Sequence, residues 1–463
     1  MNKSETAQAG GPGDIFRLTV DSEACLEGAG ETLKAIIRQK LTIINPKYQA
    51  AKRYSRWIGK KLKPTLYFFH DRDGRLVFPR GFVNQALTLS RQVTGTVPEI
   101  IDNRRRLPPA DFSFHGSLRP YQQQAVDAVL GHSFGVLEAG TGSGKTIMAL
   151  NIIVARRQPT LIIVHTKELL HQWRERIGEF LHFEAGQAGD GRYDIRPVTV
   201  AIVNTARRNL ADLPAEFGQI IVDECHRVPA SLFTDVVCSF DSYFMLGLSA
   251  TAFRREDGMT QLIYTYMGDR LHAVNQRVLA ESGAVVRPEL IQRPTGFKYG
   301  FHGDYAKLIK ALAADEDRND LIAGDIAAIV RAGHEGTVLV VSDRVAHCEI
   351  LQRKLARQGF DSVLLTGRVA AEQRAAIVDD VRRGRVRVLI STLQLIGEGF
   401  DCPGLNTLVL STPIKFEGRL LQVVGRIMRP AGSKKAQVID YVDAHVPVLR
   451  RSAAARRMVF DRW

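Results

Sequence analysis

Ten short apolar runs, each set off by helical or loop-like sequence, limit what this chain can fold into. Five come first, "FGVLEAG", "TLIIVHT", "VTVAIVN", "QIIVDE" and "YFMLGLSA"; five follow, "TVLVVSD", "SVLLTG", "VRVLIST", "NTLVLST" and "AQVIDY". Runs of Val, Ile and Leu without polar alternation suit strands buried on both faces. Their alternation with helices predicts parallel sheets built of βαβ units. Two sets predict two tandem α/β domains. Proline and glycine interrupt the pattern within "VRPELIQRPTGFKYG", so the expected domains are 113–295 and 296–463.

Residues 1–112 read as an N-terminal α+β accessory domain. A strand in "IFRLTV", a helix opened by Asn45 and Pro46 and stopped by Gly59, and a hairpin in "TLYFFHDRDGRLVFP" are expected. Asp73-Gly74 favours a tight turn, which explains Asp71 and Asp73 better than a metal site does. In "INPKYQAAKRYSRWIGKKLKPTLYFF" seven Lys and Arg, with no acid, are interleaved with Tyr48, Tyr54 and Trp57. Cations near aromatics suit phosphate contact and base stacking, with Lys52, Arg53 and Trp57 as candidates. The alternative is a solvated basic helix whose aromatics fill a small core.

The net charge of +14 and a pI near 9.7 point to a polyanionic partner, most economically nucleic acid. No apolar run reaches the roughly 18 residues of a membrane span, and the polar start has no signal-like core. The five cysteines form no C-x-x-C pair, which argues against a zinc ribbon or disulfide framework and for a reducing compartment. A cytoplasmic protein is expected. No clustered acids with a lysine suggest a nuclease.

In "VLEAGTGSGKTIMAL" an apolar run enters a glycine loop and then a helix. Gly140, Gly142 and Gly144 let backbone N–H groups wrap a phosphate chain at a helix N-terminus. Lys145 would reach the β- and γ-phosphates and Thr146 would hold Mg²⁺, although Ala139 stands where the G-x-x-x-x-G-K-[ST] pattern begins with glycine. "QIIVDECHRVP" places Asp223 and Glu224 at the carboxyl end of a buried strand, where parallel sheets bind ligands. Asp223 suits the metal shell, Glu224 the attacking water, and His226 either packing or coupling. In "LRPYQQQAV" the amide of Gln122 could meet an adenine edge. On a helix through "RLLQVVGRIMRP", Arg419, Gln422, Arg426 and Arg429 share a face amid apolar residues. Buried arginines there need anionic partners, from carboxylates of their own domain or from a ligand.

"LRPYQ", "GTGSGKT", "VHTKELLHQW", "VDECH", "LSAT", "STLQLIGEGFD" and "QVVGRIMRP" occur in the order of the superfamily 2 helicase motifs. Together they resemble the XPB/Ssl2-like DNA helicases and translocases, from residue 118 onward. The resemblance implies two RecA-like P-loop NTPase domains, with ATP and Mg²⁺ in the cleft between them and a nucleic-acid strand crossing both. By matching position it implies that Gln122 contacts adenine and that Gly140, Thr141, Gly142, Ser143, Gly144, Lys145 and Thr146 hold the phosphates and magnesium. Asp223 and Glu224 become the metal and catalytic acids, and Asp401 approaches the ribose. Ser249 and Thr251 link ATP state to strand binding, as His226 would; Thr166 and Thr392 touch the strand's phosphates. Arg426 and Arg429 become arginine fingers, a device that contributes about 10³–10⁵ in turnover, with Gln422 beside the attacking water. "RRED" at 254–257 resembles the Arg-Glu-Asp motif of the XPB group, whereas no thumb-like insertion between the lobes is visible. The expectation is an ATP-dependent DNA helicase or translocase moving 3′ to 5′. The alternatives are a DExH-type RNA helicase, or an ATP-switched DNA-binding subunit of a repair, restriction or phage-defence complex.

Overall fold

The computed structural model describes residues 16–461 apart from 54–56, 58, 60, 61, 227–229, 251–259, 334, 398–403, 416 and 429–434. All ten apolar runs are strands. Contacts divide the chain into two compact units, one running to 139 and from 145 to 273, the other made of 140–144 and 274 onward.

In the first unit, β1 (Arg17–Val20), β2 (Glu23–Glu27), β5 (His70–Arg72), β6 (Arg75–Pro79) and β7 (Glu99–Asp102) form one sheet in the order β5-β6-β2-β1-β7. The turn between β5 and β6 is at Asp73 and Gly74, with φ of 51° and 78°. A separate ribbon pairs β3 (Thr42–Ile44) with β4 (Thr65–Tyr67). The expected hairpin is thus present across Asp73-Gly74, with a shorter first arm, because Thr65–Tyr67 pairs back with Thr42–Ile44. The helix expected to reach Gly59 is shorter. Among the described residues the helix spans Pro46–Arg53, and Trp57 and Gly59 lie outside helix. Asn45 caps its start, accepting from the Lys47 N–H at 3.0 Å. Trp57 is 90% exposed and fills no core.

The larger sheet of this unit contains β8 (Phe134–Ala139), β9 (Thr160–Val164), β10 (Gly186–Gly189), β11 (Arg192–Asp194), β12 (Val198–Ile202), β13 (Gln219–Val222), β14 (Phe244–Ser249) and β15 (Arg270–Val274). Their order is β11-β10-β12-β9-β13-β14-β8-β15. From β10 to β8 neighbouring strands are parallel. Strands β8, β9 and β13 are buried at every residue, as uninterrupted apolar runs require.

The two sheets share one hydrophobic core. Leu18, Leu26, Ile37, Phe78 and Phe82 of the N-terminal region belong to the same buried cluster as Phe134, Ile220, Met245 and Met267. Arg80 is sealed at this seam, donating through Nη1 to the Ser242 carbonyl at 2.8 Å and through Nη2 to Met245 Sδ at 3.2 Å. Burial pushes its guanidinium down to about 10. Asn84 and Gln85 reach the Asp269 carboxylate. Residues 1–112 are thus built onto the first α/β domain.

The second unit carries β16 (Glu289–Pro294), β17 (Thr337–Ser342), β18 (Val363–Leu365), β19 (Val388–Thr392), β20 (Leu405–Leu410) and β21 (Gln437–Val442) in the order β16-β21-β20-β17-β19-β18. Every neighbouring pair is parallel. Because β16 pairs with β21, residues 289–294 lie in this sheet, and the break between units falls at 273/274 rather than at 295. Arg318 and Asp443, each 1% exposed, pair at 2.8 Å through Nε and Oδ1. Thr295 Oγ1 donates to the same carboxylate, and Arg318 Nη1 donates to the Ser411 carbonyl. Buried His347 places Nε2 2.8 Å from Asn319 Oδ1 and Nδ1 2.9 Å from Ser342 Oγ. Asn319 Oδ1 accepts only, so Nε2 carries the proton and Ser342 donates to Nδ1. Burial pushes this imidazole down to about 3.

Candidate active site at the carboxyl edge of the first parallel sheet

Parallel strands end together, so the loops that follow β8, β9, β13 and β14 lie along one edge of their sheet. After β8 comes the glycine loop, turned by Ser143 N–H donating to the Gly140 carbonyl at 3.2 Å. Gly142 and Gly144 have φ of 86° and 80°, left-handed backbone that a side chain would strain. Ala139 ends β8 in extended conformation, which is why the position tolerates a Cβ. Lys145 and Thr146 open the helix Lys145–Arg156, and the first-turn N–H groups of a helix, which have no intrahelical partner, suit phosphate.

After β13 come Asp223 and Glu224. Lys145 Nζ donates to Glu224 Oε1 at 2.7 Å, joining the start of the helix Lys145–Arg156 to the acidic pair. Glu224 Oε2 lies 3.3 Å from His226 Nδ1, and that nitrogen lies 2.8 Å from Ser249 Oγ at the end of β14. Glu224 has φ of 46°, a left-handed conformation that costs a non-glycine residue about 1–2 kcal/mol. Strain of this kind collects at functional sites. Asp223 is buried, accepting from the Glu224 N–H at 2.9 Å through Oδ1 and from Trp173 Nε1–H at 2.8 Å through Oδ2. Burial first, and the Glu224 charge second, push its carboxyl up to about 6.

The donors suit a nucleotide with Mg²⁺. Mg²⁺ prefers hard oxygens and keeps several waters, so one carboxylate, one hydroxyl and substrate phosphates suffice. Asp223 offers a buried carboxylate whose two hydrogen-bond donors above are uncharged, and Thr146 offers a hydroxyl. Among the described residues there is no group of three or more His, Cys, Asp or Glu that could hold a metal ion.

Gln122 is buried in the helix Pro120–Leu130 and its Oε1 accepts from the Arg119 N–H at 2.9 Å. Thr166 follows β9 and caps the helix Lys167–Leu181, accepting from the Leu169 N–H at 3.3 Å. In the second unit Thr392 ends β19, at the carboxyl edge of its own sheet. The helix expected through residue 429 runs Glu417–Ile427; Gln422 is buried on it and Arg426 half-buried. Thr251, Asp401, Arg429 and the "RRED" run lie outside the described residues. Lys52 is exposed; Arg53 ends its helix.

Sequence reasoning assigned nothing to Trp173 or Glu138. Glu138 is buried one residue before Ala139, accepting from Tyr264 Oη and Arg270 Nη1, both at 3.1 Å. A carboxylate inside an apolar strand was a visible signal. For Trp173 the signal was its place seven residues, two helical turns, beyond Thr166.

Two family descriptions match the chain: "Type III restriction enzyme, res subunit" over residues 115–254 and "Helicase conserved C-terminal domain" over 322–431. The DNA 3'-5' translocase XPB2 of Sulfurisphaera tokodaii is 25% identical, over 70% of this chain and 81% of its own length. A Halobacterium salinarum protein named for the DNA 3'-5' helicase Rad25 is 30% identical over 70% of this chain; the chain spans 54% of that relative. Saccharomyces cerevisiae Dbp5, solved with RNA and ADP BeF3, shares the fold with a TM-score of 0.55 at 16% identity, over 75% of this chain and 88% of Dbp5. No described helix is long and apolar enough to cross a membrane.

Proposed function

Since the chain belongs to the superfamily 2 helicases of the XPB-like kind, we propose that it is an ATP-driven motor on DNA, moving 3′ to 5′. The observation that carries the reading is the contact of Lys145 with Glu224 beside buried Asp223. A strained carboxylate held by the glycine-loop lysine is a hydrolytic base waiting for its phosphate. In this proposal the ATP triphosphate enters the glycine loop and draws Lys145 off Glu224. Glu224 Oε1 then orients the attacking water and accepts its proton. His226, already facing both Glu224 Oε2 and Ser249 Oγ, tells the β14 end whether that exchange has happened. Asp223 and the Thr146 hydroxyl would hold Mg²⁺, which when bound offsets charge on the phosphates.

Gln122 serves adenine and Asp401 the ribose. Gln422 orients the water, while Arg426 and Arg429 supply the neutralising charge. Thr166 and Thr392 grip the strand, Thr251 acts with Ser249, and exposed Lys52 and Trp57, with Arg53, add contacts from the N-terminal region.

The test is ATP hydrolysis without polymer and with single-stranded DNA, duplex DNA or RNA, alongside Lys145→Ala and Arg426→Ala. DNA should stimulate the wild type, and both substitutions should abolish the stimulated rate. Equal rates in all four conditions would discard the motor, and stimulation by RNA alone would make the substrate RNA. Displacement of a block from one end of a single strand reads the direction.

A further inference from the structure

Among the described residues Trp173 is the largest fully buried side chain, and its single polar atom ends on the carboxylate assigned to the metal. We propose that Trp173 is a positioning residue for that metal site, its indole N–H fixing the orientation in which Asp223 meets Mg²⁺. The inference rests on the ATP-site reading above.

The terminal torsion of an aspartate is soft, so burial alone does not fix where its oxygens point. Here each oxygen has its own anchor. The Glu224 N–H holds Oδ1 at 2.9 Å from the loop after β13, and Trp173 Nε1–H holds Oδ2 at 2.8 Å from the helix Lys167–Leu181. Turning the carboxylate would break one of the two bonds. The chemistry of the donor matters as well. An indole N–H donates one hydrogen bond and carries no charge, so it directs the carboxylate without neutralising it. A lysine or arginine in its place would compete with the cation for the same negative charge. Partners of metal ligands commonly act in this way, and their loss weakens metal binding roughly 10- to 100-fold.

A merely structural tryptophan would also need a partner for its N–H. Two variants separate the roles: Trp173→Phe, which drops the donor, and 3-benzothienylalanine at 173, which keeps the bicyclic shape and replaces N–H by sulfur. Both are compared with wild type by thermal melting, by binding of a fluorescent ATP analogue in EDTA and in Mg²⁺, and by the Mg²⁺ concentration that half-saturates hydrolysis. Both should bind the analogue normally in EDTA and need roughly 10- to 100-fold more Mg²⁺. An unchanged Mg²⁺ requirement in the benzothienyl protein would overturn the proposal, whatever the phenylalanine does to folding. In a Trp57→Phe, Trp463→Phe background Trp173 is the remaining indole of three. Its emission should change when Mg²⁺ joins bound nucleotide, and a flat signal would count against the assignment. A wild type that binds no nucleotide would instead sink the ATP-site reading itself.

Discussion

Replacing Glu224 by Gln should separate nucleotide binding from hydrolysis, with opposite signs. Lys145 Nζ sits 2.7 Å from Glu224 Oε1, and the two side chains are 12% and 17% exposed. The lysine keeps its charge beside glutamine, so the hydrogen bond remains charge-assisted and only the attraction between opposite charges is lost, roughly 1 kcal/mol. ATP has to draw the lysine away before it can use it. Because about 1.4 kcal/mol is a tenfold change, Glu224→Gln should tighten Mg–ATP binding about fivefold. The neighbouring acid responds in the same direction. The Glu224 charge helps to raise the Asp223 carboxyl, so removing it leaves Asp223 more fully ionised near neutral pH and readier for a cation. Turnover should meanwhile fall about 10²–10⁴-fold with loss of the base. Equilibrium titration with a fluorescent ATP analogue in Mg²⁺ reads the first effect, and DNA-saturated phosphate release reads the second. Binding no tighter than wild type would refute the idea that nucleotide and Glu224 compete for Lys145.

Three further outcomes concern stability. Arg318→Ala strands the Asp443 carboxylate at 1% exposure and should cost about 3–5 kcal/mol, read by urea denaturation or hydrogen exchange in the second unit. Gly81→Ala puts a Cβ 2.5 Å from backbone atoms of Gly268 and Tyr266. It should cost about 1–3 kcal/mol while leaving the KM for ATP unchanged, and an unaltered melting temperature would contradict the packing described. Native His347 stays neutral until about pH 3, whereas the unfolded chain protonates near pH 6.5. The unfolded state thus binds more protons in that window, and stability drains away as pH falls through it, by at most roughly 1.4 kcal/mol per unit. His347→Gln should flatten the urea midpoint between pH 7 and pH 5.

Strands and chemistry were legible from sequence to different depths. The uninterrupted runs became buried parallel strands because burial on both faces leaves little room for polar alternation. The glycine loop and "VDECH" were readable for the same local reason, as both sit where a strand must end. What escaped depends on partners distant in sequence. Trp173 lies 50 residues from Asp223, and no periodicity reports that their elements touch. Arg80 in "FPRGF" looks like a surface cation until Ser242 and Met245 close over it. The strand pairing of Thr42–Ile44 with Thr65–Tyr67, on either side of the helix after Pro46, is something helical pattern cannot foresee. The break between the units was misplaced because β16 joins the second sheet through β21, the last strand in the chain.

An appendage on a slack tether wanders through a sphere set by its linker; one welded through Arg80 and Gly81 has its bearing decided when the protein folds. Amputating residues 1–112 would tear one wall from the interior, so such a truncation reports on collapse as much as on lost grip. In the intact chain the ribbon of Thr42–Ile44 and Thr65–Tyr67, exposed at Ile44 and Tyr67 and packed on the shared core through Leu66, keeps a fixed place on the first unit.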